Sequence, residues 1–147
     1  MKRTLGLDVG DKTVGLALSD GLGITAQGLD TLARKNIETD LAAIASLCAE
    51  HEVERLVVGL PLNMDGSEGP RAELTRRFGD KLAARTGLAT EYWDERLTTA
   101  EAERVLISAD VSRQKRKKVI DKLAAQVILQ SWLDAHAAPP SEPEDDP

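Results

Sequence analysis

The chain has 147 residues, 41% hydrophobic and 30% charged, which is the size and balance of one soluble globular domain. Aromatic residues make up only 3%, so the core must come from Leu, Val, Ile and Ala, and stacking platforms for bases are confined to Phe78, Tyr92, Trp93 and Trp132. The formal charge of −6 does not exclude a polyanionic partner, because four of the 25 acids crowd into the last six residues, Glu142-Pro143-Glu144-Asp145-Asp146-Pro147.

The first strand is expected over 3–9 and holds a lone aspartate in an apolar run, Leu5-Gly6-Leu7-Asp8-Val9-Gly10. Alternation sends Leu5, Leu7 and Val9 to one face and Gly6, Asp8 and Gly10 to the other. Asp8 thus stands on a face cleared of side chains, where a phosphate or a metal ion could approach the backbone. A turn aspartate satisfied by local N–H groups is the bland alternative. Two further strands, 13–19 and 24–33, follow the turns Gly10-Asp11-Lys12 and Asp20-Gly21-Leu22-Gly23.

Residues 37–52 have helical spacing of Ile37, Leu41, Ile44 and Leu47, with Asn36 as N-cap. Cys48, the only cysteine, sits on this helix. An internal disulfide is therefore excluded, a reducing compartment is the natural reading, and a buried apolar role fits better than a nucleophile. The near-continuous apolar run Arg55-Leu56-Val57-Val58-Gly59-Leu60 predicts a strand covered on both faces. A loop from Pro61 to Pro70 leads into a helix over 71–86 that carries Arg71, Arg76, Arg77, Lys81 and Arg85 and stops at Gly87.

A strand over 89–94 comes next. Thr98 and Glu101 form a capping box for a helix over 99–109, and Ser112 caps a last helix running to His136. Domain organisation is expected as 1–136 folded and 137–147 a disordered acidic, Pro-rich tail. His51 and His136 lack partners at ligand spacing, which argues against zinc. No apolar run approaches the roughly 20 residues of a membrane span. Asp8 and Asp11 interrupt any signal-peptide core, so a cytoplasmic protein is expected.

The order β-β-β-α-β-α-β-α-α predicts an α/β fold: a mixed five-stranded sheet, three antiparallel strands followed by crossover strands, with helices on both faces. Sites in such sheets lie at the carboxyl ends of parallel strands. Three acidic positions compete for that place: Asp8, the pair Asp94-Glu95, and Asp121 in the last helix. Neighbouring strand residues face opposite ways, so one of Asp94 and Glu95 should enter the site. Asp121 also has a plain reading as a helical acid paired with Lys117 or Lys118. Converging carboxylates repel one another and call for a cation; an oxygen-only set favours Mg²⁺ or Mn²⁺. Two such ions about 4 Å apart support phosphodiester hydrolysis.

Four segments, in order, carry a resemblance. They are Gly6-Leu7-Asp8-Val9-Gly10 with Val14-Gly15-Leu16-Ala17 and Ser19-Asp20; Gly59-Leu60-Pro61-Leu62-Asn63-Met64-Asp65-Gly66-Ser67; Asp94-Glu95-Arg96-Leu97-Thr98-Thr99-Ala100-Glu101-Ala102; and Asp121-Lys122-Leu123-Ala124-Ala125. In these the chain resembles the YqgF, or RuvX, family of Holliday junction resolvases and pre-16S rRNA nucleases, members of the RNase H-like superfamily. The resemblance implies an RNase H-like fold and metal-dependent cleavage of structured nucleic acid, either pre-rRNA or branched DNA. It places the acidic triad on Asp8, Glu95 and Asp121, as catalytic groups and as ligands of two ions with Asp8 bridging, and so selects Glu95 over Asp94. At Thr13 many relatives carry Arg, which puts one phosphate contact of the family in doubt here.

On the substrate side, Asn63 and Ser67 are candidate phosphate donors, although loop shaping explains Pro61, Gly66 and Gly69. Arg96 has two readings, a substrate phosphate or a neighbouring acid. Lys115, Arg116, Lys117 and Lys118 form a dense basic run fit for a phosphate backbone, or simply a solvated face. Competing readings are a junction resolvase acting on DNA, a non-catalytic RNA-binding ribosome-assembly module, and an actin-like ATP-binding lobe, whose phosphate loop shares the Asp-x-Gly turn. A monomer and a homodimer are both compatible with the sequence.

Overall fold

The computed structural model describes residues 2–96 and 113–136, and in the last helix the side chains from 123 onward. The strands are β1 (Arg3–Val9), β2 (Thr13–Ser19), β3 (Ala26–Gly28), β4 (Leu32–Ala33), β5 (Val53–Leu60) and β6 (Ala89–Asp94). The helices are α1 (Ile37–Glu50), α2 (Pro70–Thr86) and α3 (Arg113–His136). The expected helix over 99–109, both caps at Thr98 and Ser112, and the tail over 137–147 lie outside the described residues.

The sheet runs β3-β2-β1-β5-β6, with β4 also paired to β2. β1 lies antiparallel to β2 and parallel to β5, and β5 lies parallel to β6. This is the mixed sheet expected, with one correction. The segment 24–33 is two short strands rather than one. Ala17 faces Gly28, whereas Val14 faces Leu32, so three steps on β2 oppose four across β3 and β4 and a bulge interrupts the ladder. Residues 24 and 25 belong instead to the preceding turn: Asp20 Oδ1 accepts the Ile24 N–H at 2.8 Å and the Thr25 N–H at 3.4 Å.

Local chemistry explains the helix limits. Asn36 Oδ1 accepts the Thr39 N–H at 2.9 Å, the N-cap expected of it. Gly87 closes α2 in the left-handed region at φ 72°.

Side-chain alternation divides the core in two. Leu5, Leu7, Leu16, Leu56 and Val58 pack with Leu41, Ile44, Phe78 and Leu82 of α1 and α2. On the other face, Ala17, Ala26 and Val57 meet Ala125, Ile128, Leu129, Trp132 and Leu133 of α3. Gln126 Nε2 donates to the Ala26 carbonyl at 3.1 Å, and Gln130 Oε1 accepts the Ala26 N–H at 2.9 Å, pinning α3 to the sheet edge.

The glycines of β1 have a different use from the one expected. A Cβ built on Gly6 would stand 2.7 Å from Leu129 Cβ and 3.2 Å from the Ala125 carbonyl. Gly6 therefore admits α3, and the space is filled by protein rather than left for substrate. Gly10 is a turn residue whose N–H donates to the Thr13 carbonyl at 2.9 Å. Among the described residues, no helix is long and apolar enough to cross a membrane.

Candidate active site

Asp8 lies one residue before the carboxyl end of β1, half-buried on the α3 face. Its partner on β2 is Gly15, and a Cβ there would come within 3.5 Å of both Asp8 Cβ and Ala125 Cβ. The parallel register Leu7–Val58 puts Asp8 level with Gly59 of β5. A Cβ on Gly59 would collide with Ile128 Cδ1 and would stand 2.9 Å from Glu95 Oε2. Small residues on both sides of Asp8 thus make a shallow recess between sheet and helix, and Glu95 enters it.

Asp94 and Glu95 part company at the end of β6. Asp94 is the last strand residue, and Glu95 and Arg96 already have helical backbone. Asp94 turns to Arg96, whose Nε and Nη2 donate to its two carboxylate oxygens at 2.7–3.2 Å. Those hydrogen bonds hold the Asp94 carboxyl below the usual carboxylate range. Glu95 behaves oppositely. Burial, followed by the charge of Asp8, pushes it up to about 7, with a hydrogen bond to Asp8 adding to the rise and the charge of Arg71 opposing it. Adjacent acids therefore carry opposite shifts because one meets a guanidinium while the other is buried and meets a second carboxylate.

Asp121 lies on α3 four residues, one helical turn, before Ala125, the residue packed beside Gly15 and Asp8. The side chains of Asp121 and of Lys115, Arg116, Lys117 and Lys118 lie outside the described residues. Among the described residues, no group of three or more His, Cys, Asp or Glu is arranged to hold a metal ion. The described part of the donor set, Asp8 and Glu95, is oxygen-only and suits a hard cation such as Mg²⁺ or Mn²⁺.

The loop after β5 is built by the residues expected to bind phosphate. Asn63 Nδ2 donates to Ser67 Oγ at 3.0 Å, and Ser67 Oγ donates to Asp65 Oδ1 at 2.6 Å. The Gly66 N–H closes a turn onto the Asn63 carbonyl at 2.9 Å, with Gly66 at φ 88°. Arg96 Nη1 donates to the Asn63 and Met64 carbonyls at 3.2 and 3.1 Å. Arg96 thus joins the loop to the end of β6, next to Glu95, and its charge is matched by the neighbouring acid Asp94.

Other candidates take structural roles. Phe78 and Trp132 are buried, Tyr92 Oη donates to the Arg76 carbonyl, and Trp93 Nε1 donates to Ser131 Oγ. Cys48 is buried, and burial raises its thiol to about 11. Its nucleophilic thiolate is scarce at neutral pH. Sequence reasoning passed over Gly15, Gly59 and Arg71 as parts of the site. A glycine within the apolar run of β5 was the available signal for Gly59.

The sequence matches the RuvX family, described as Holliday junction resolvase, over residues 2–135. It is 59% identical over 140 residues to a protein of Myxococcus xanthus named "Putative pre-16S rRNA nuclease", covering 95% of this chain and 93% of that one. A protein of the same name from Symbiobacterium thermophilum is 59% identical over 137 residues, covering 93% and 95%. In fold, the chain is similar to Thermus thermophilus RuvC in complex with Holliday junction substrate, with a TM-score of 0.62 at 12% identity, covering 92% of this chain and 95% of that one. That likeness confirms the RNase H-like architecture of the sheet and its helices. With the family match spanning nearly the whole chain, this protein belongs to the RuvX family.

Proposed function

We propose that this chain is a metal-dependent nuclease that hydrolyses phosphodiester bonds in structured nucleic acid, and that it processes the ends of pre-16S rRNA. The observation that carries the reading is the meeting of Asp8 and Glu95. Two carboxylates from the ends of separate strands share a half-buried recess, and Glu95 is raised to about 7 as a result. The names of the relatives support the pre-16S rRNA assignment.

Asp8, Glu95 and Asp121 would hold the cations, as Mg²⁺ or Mn²⁺. Bound there, two ions would supply an activated water and neutralise charge on the leaving oxygen. The residues of the chain prepare that site in three ways. Gly15 and Gly59 leave the oxygens of Asp8 and Glu95 room to converge, and Ala125 and Ile128 limit solvent from the α3 side. With its carboxyl raised to about 7, Glu95 is partly protonated near neutral pH, and a cation compensating Asp8 would favour its ionised form. Arg71 contributes positive charge beside Glu95. Asn63 and Ser67 on the loop anchored by Arg96, together with Lys115, Arg116, Lys117 and Lys118, form the substrate side, in a protein acting in the cytoplasm.

Asp8→Asn is the direct test. Cleavage of a 16S precursor by the purified protein with Mg²⁺ should disappear, while binding of the same RNA in an electrophoretic shift assay is largely retained. Undiminished cleavage by the variant removes the assignment. The family description supports a second reading, resolution of four-way DNA junctions, which demands paired cuts by a symmetric dimer. Comparing a synthetic junction with the 16S precursor at equal enzyme decides between the two.

A further inference from the structure

A cleft of about 270 Å³ opens at the carboxyl end of β1 and against α2, on the α1–α2 side of the sheet. Its floor is apolar: Val9, Ile37, Leu74 and Phe78. Its rim is cationic: Arg34, Arg71, Arg77 and Lys81, with Asp11 the acid among the lining residues. Helical spacing produces the wall, since Arg71, Leu74, Phe78 and Lys81 fall three or four residues apart along one face of α2.

These groups are unequally engaged. Arg34 is fixed in place, donating to the Gly10 carbonyl at 2.9 Å, pairing with buried Asp40 at 3.3 Å and lying over the Phe78 ring. Arg71 pairs with Asp11 at 3.2 Å, but both side chains are mostly exposed, so a phosphate can displace that contact at little cost. Arg77 and Lys81 are exposed and have no ion-pair partner among the described residues. Leu74 is 56% exposed, a large aliphatic side chain that neither core uses.

We propose that this cleft seats one unpaired nucleotide adjoining the cleaved bond, with its base on Leu74, Ile37 and Val9 and its phosphates on Arg71, Arg77 and Lys81. Its position follows from Arg71, which lines the cleft and whose charge also bears on Glu95, so the cleft borders the site across the end of β1. Its chemistry follows from an apolar floor under a cationic rim, which complements a nucleotide's base and phosphate together. Its size lies just under the roughly 300–1,000 Å³ of small-ligand clefts, room for one base, which can reach the apolar floor only when unpaired. The substrate class is thereby narrowed to strands unpaired at the cut. This rests on the nuclease reading for the place of the cut, but strand binding can be measured without cleavage.

The test is fluorescence anisotropy of the full chain, in EDTA, with a labelled single-stranded oligoribonucleotide, its duplex, and a wholly abasic oligomer of equal length. Arg77→Ala/Lys81→Ala should weaken single-strand binding and lower the slope of log affinity against log salt by about 1.4, at about 0.7 per lost phosphate contact. Leu74→Ser, at an exposed position, should weaken binding of the normal strand several-fold, leave the salt slope unchanged and spare the abasic oligomer. Equal losses for single strand and duplex overturn the proposal, as does unchanged single-strand binding by both variants. If those binding results fail while Asp8-dependent cleavage persists, the cleft assignment falls and the nuclease reading stands. If they hold and no cleavage is seen, the binding site stands and the nuclease reading falls.

Discussion

The two faces of the sheet are built to different rules. Against α1 and α2 the strands present leucine and valine, and Leu5, Leu7, Leu56 and Val58 are fully buried. Against α3 the same strands present Gly6, Gly15, Ala17 and Gly59, so the helix comes close to the backbone. The larger buried core lies on the first face and the smaller on the second, where Asp8 also stands. Leu7 and Asp8 are neighbours in sequence and belong to opposite faces, which makes the comparison testable residue by residue.

The largest expected effect is at Asp8. Asp8→Asn should lower cleavage by about 1,000-fold or more, equivalent to about 4 kcal/mol of barrier, while chemical denaturation shows stability maintained or raised. A loss of stability matching that of a core variant would break the contrast between the faces.

Leu7→Ala should do the reverse. It empties a fully buried position and should cost about 2–5 kcal/mol in urea unfolding, with cleavage per folded molecule little changed. Gly6→Ala probes the second face by overfilling. Its new methyl meets Leu129 Cβ and the Ala125 carbonyl, so α3 must shift, with an expected cost of about 1–3 kcal/mol. Because Ala125 also packs beside Gly15 and Asp8, cleavage should fall as well, unlike in Leu7→Ala. Unaltered kinetics in Gly6→Ala would separate helix position from catalysis.

The smallest effect is the dependence on pH. Glu95 titrates near 7 in the folded chain against an ordinary value of 4.5, so between these limits the folded state retains a proton that the unfolded state has lost. Stability without metal should therefore fall as pH rises from about 4.5 to 7, by on the order of 2 kcal/mol. Glu95→Gln should flatten that slope. Added Mg²⁺ at pH 8 should raise the melting temperature of the wild type and leave Glu95→Gln nearly unchanged. An identical pH slope in both proteins would place the titration elsewhere.

Much of this was legible from local pattern. Alternation in β1 and the apolar run of β5 placed the strands; Asn36 and Gly87 placed helix ends through hydrogen bonding and backbone geometry that involve few residues. The split of 24–33 was not legible, because the Asp20 side chain captures the Ile24 and Thr25 N–H groups and a bulge shifts the ladder. Gly6 was read as open space when it receives a helix more than 100 residues away in the chain.

The sequence by itself determined the order of elements, the two-faced pattern of the sheet and the presence of acids at Asp8, Asp94-Glu95 and Asp121, since these depend on residue type and short-range spacing. Its four motif segments also pointed to the family. The pairing of Asp94 with Arg96, two residues on, is also short-range. Tertiary structure alone decided that Glu95 meets Asp8 and that four cations gather around an apolar cleft at the end of β1. Burial and charge at a carboxylate come from groups brought together across the sheet, and no spacing along the chain encodes that distance.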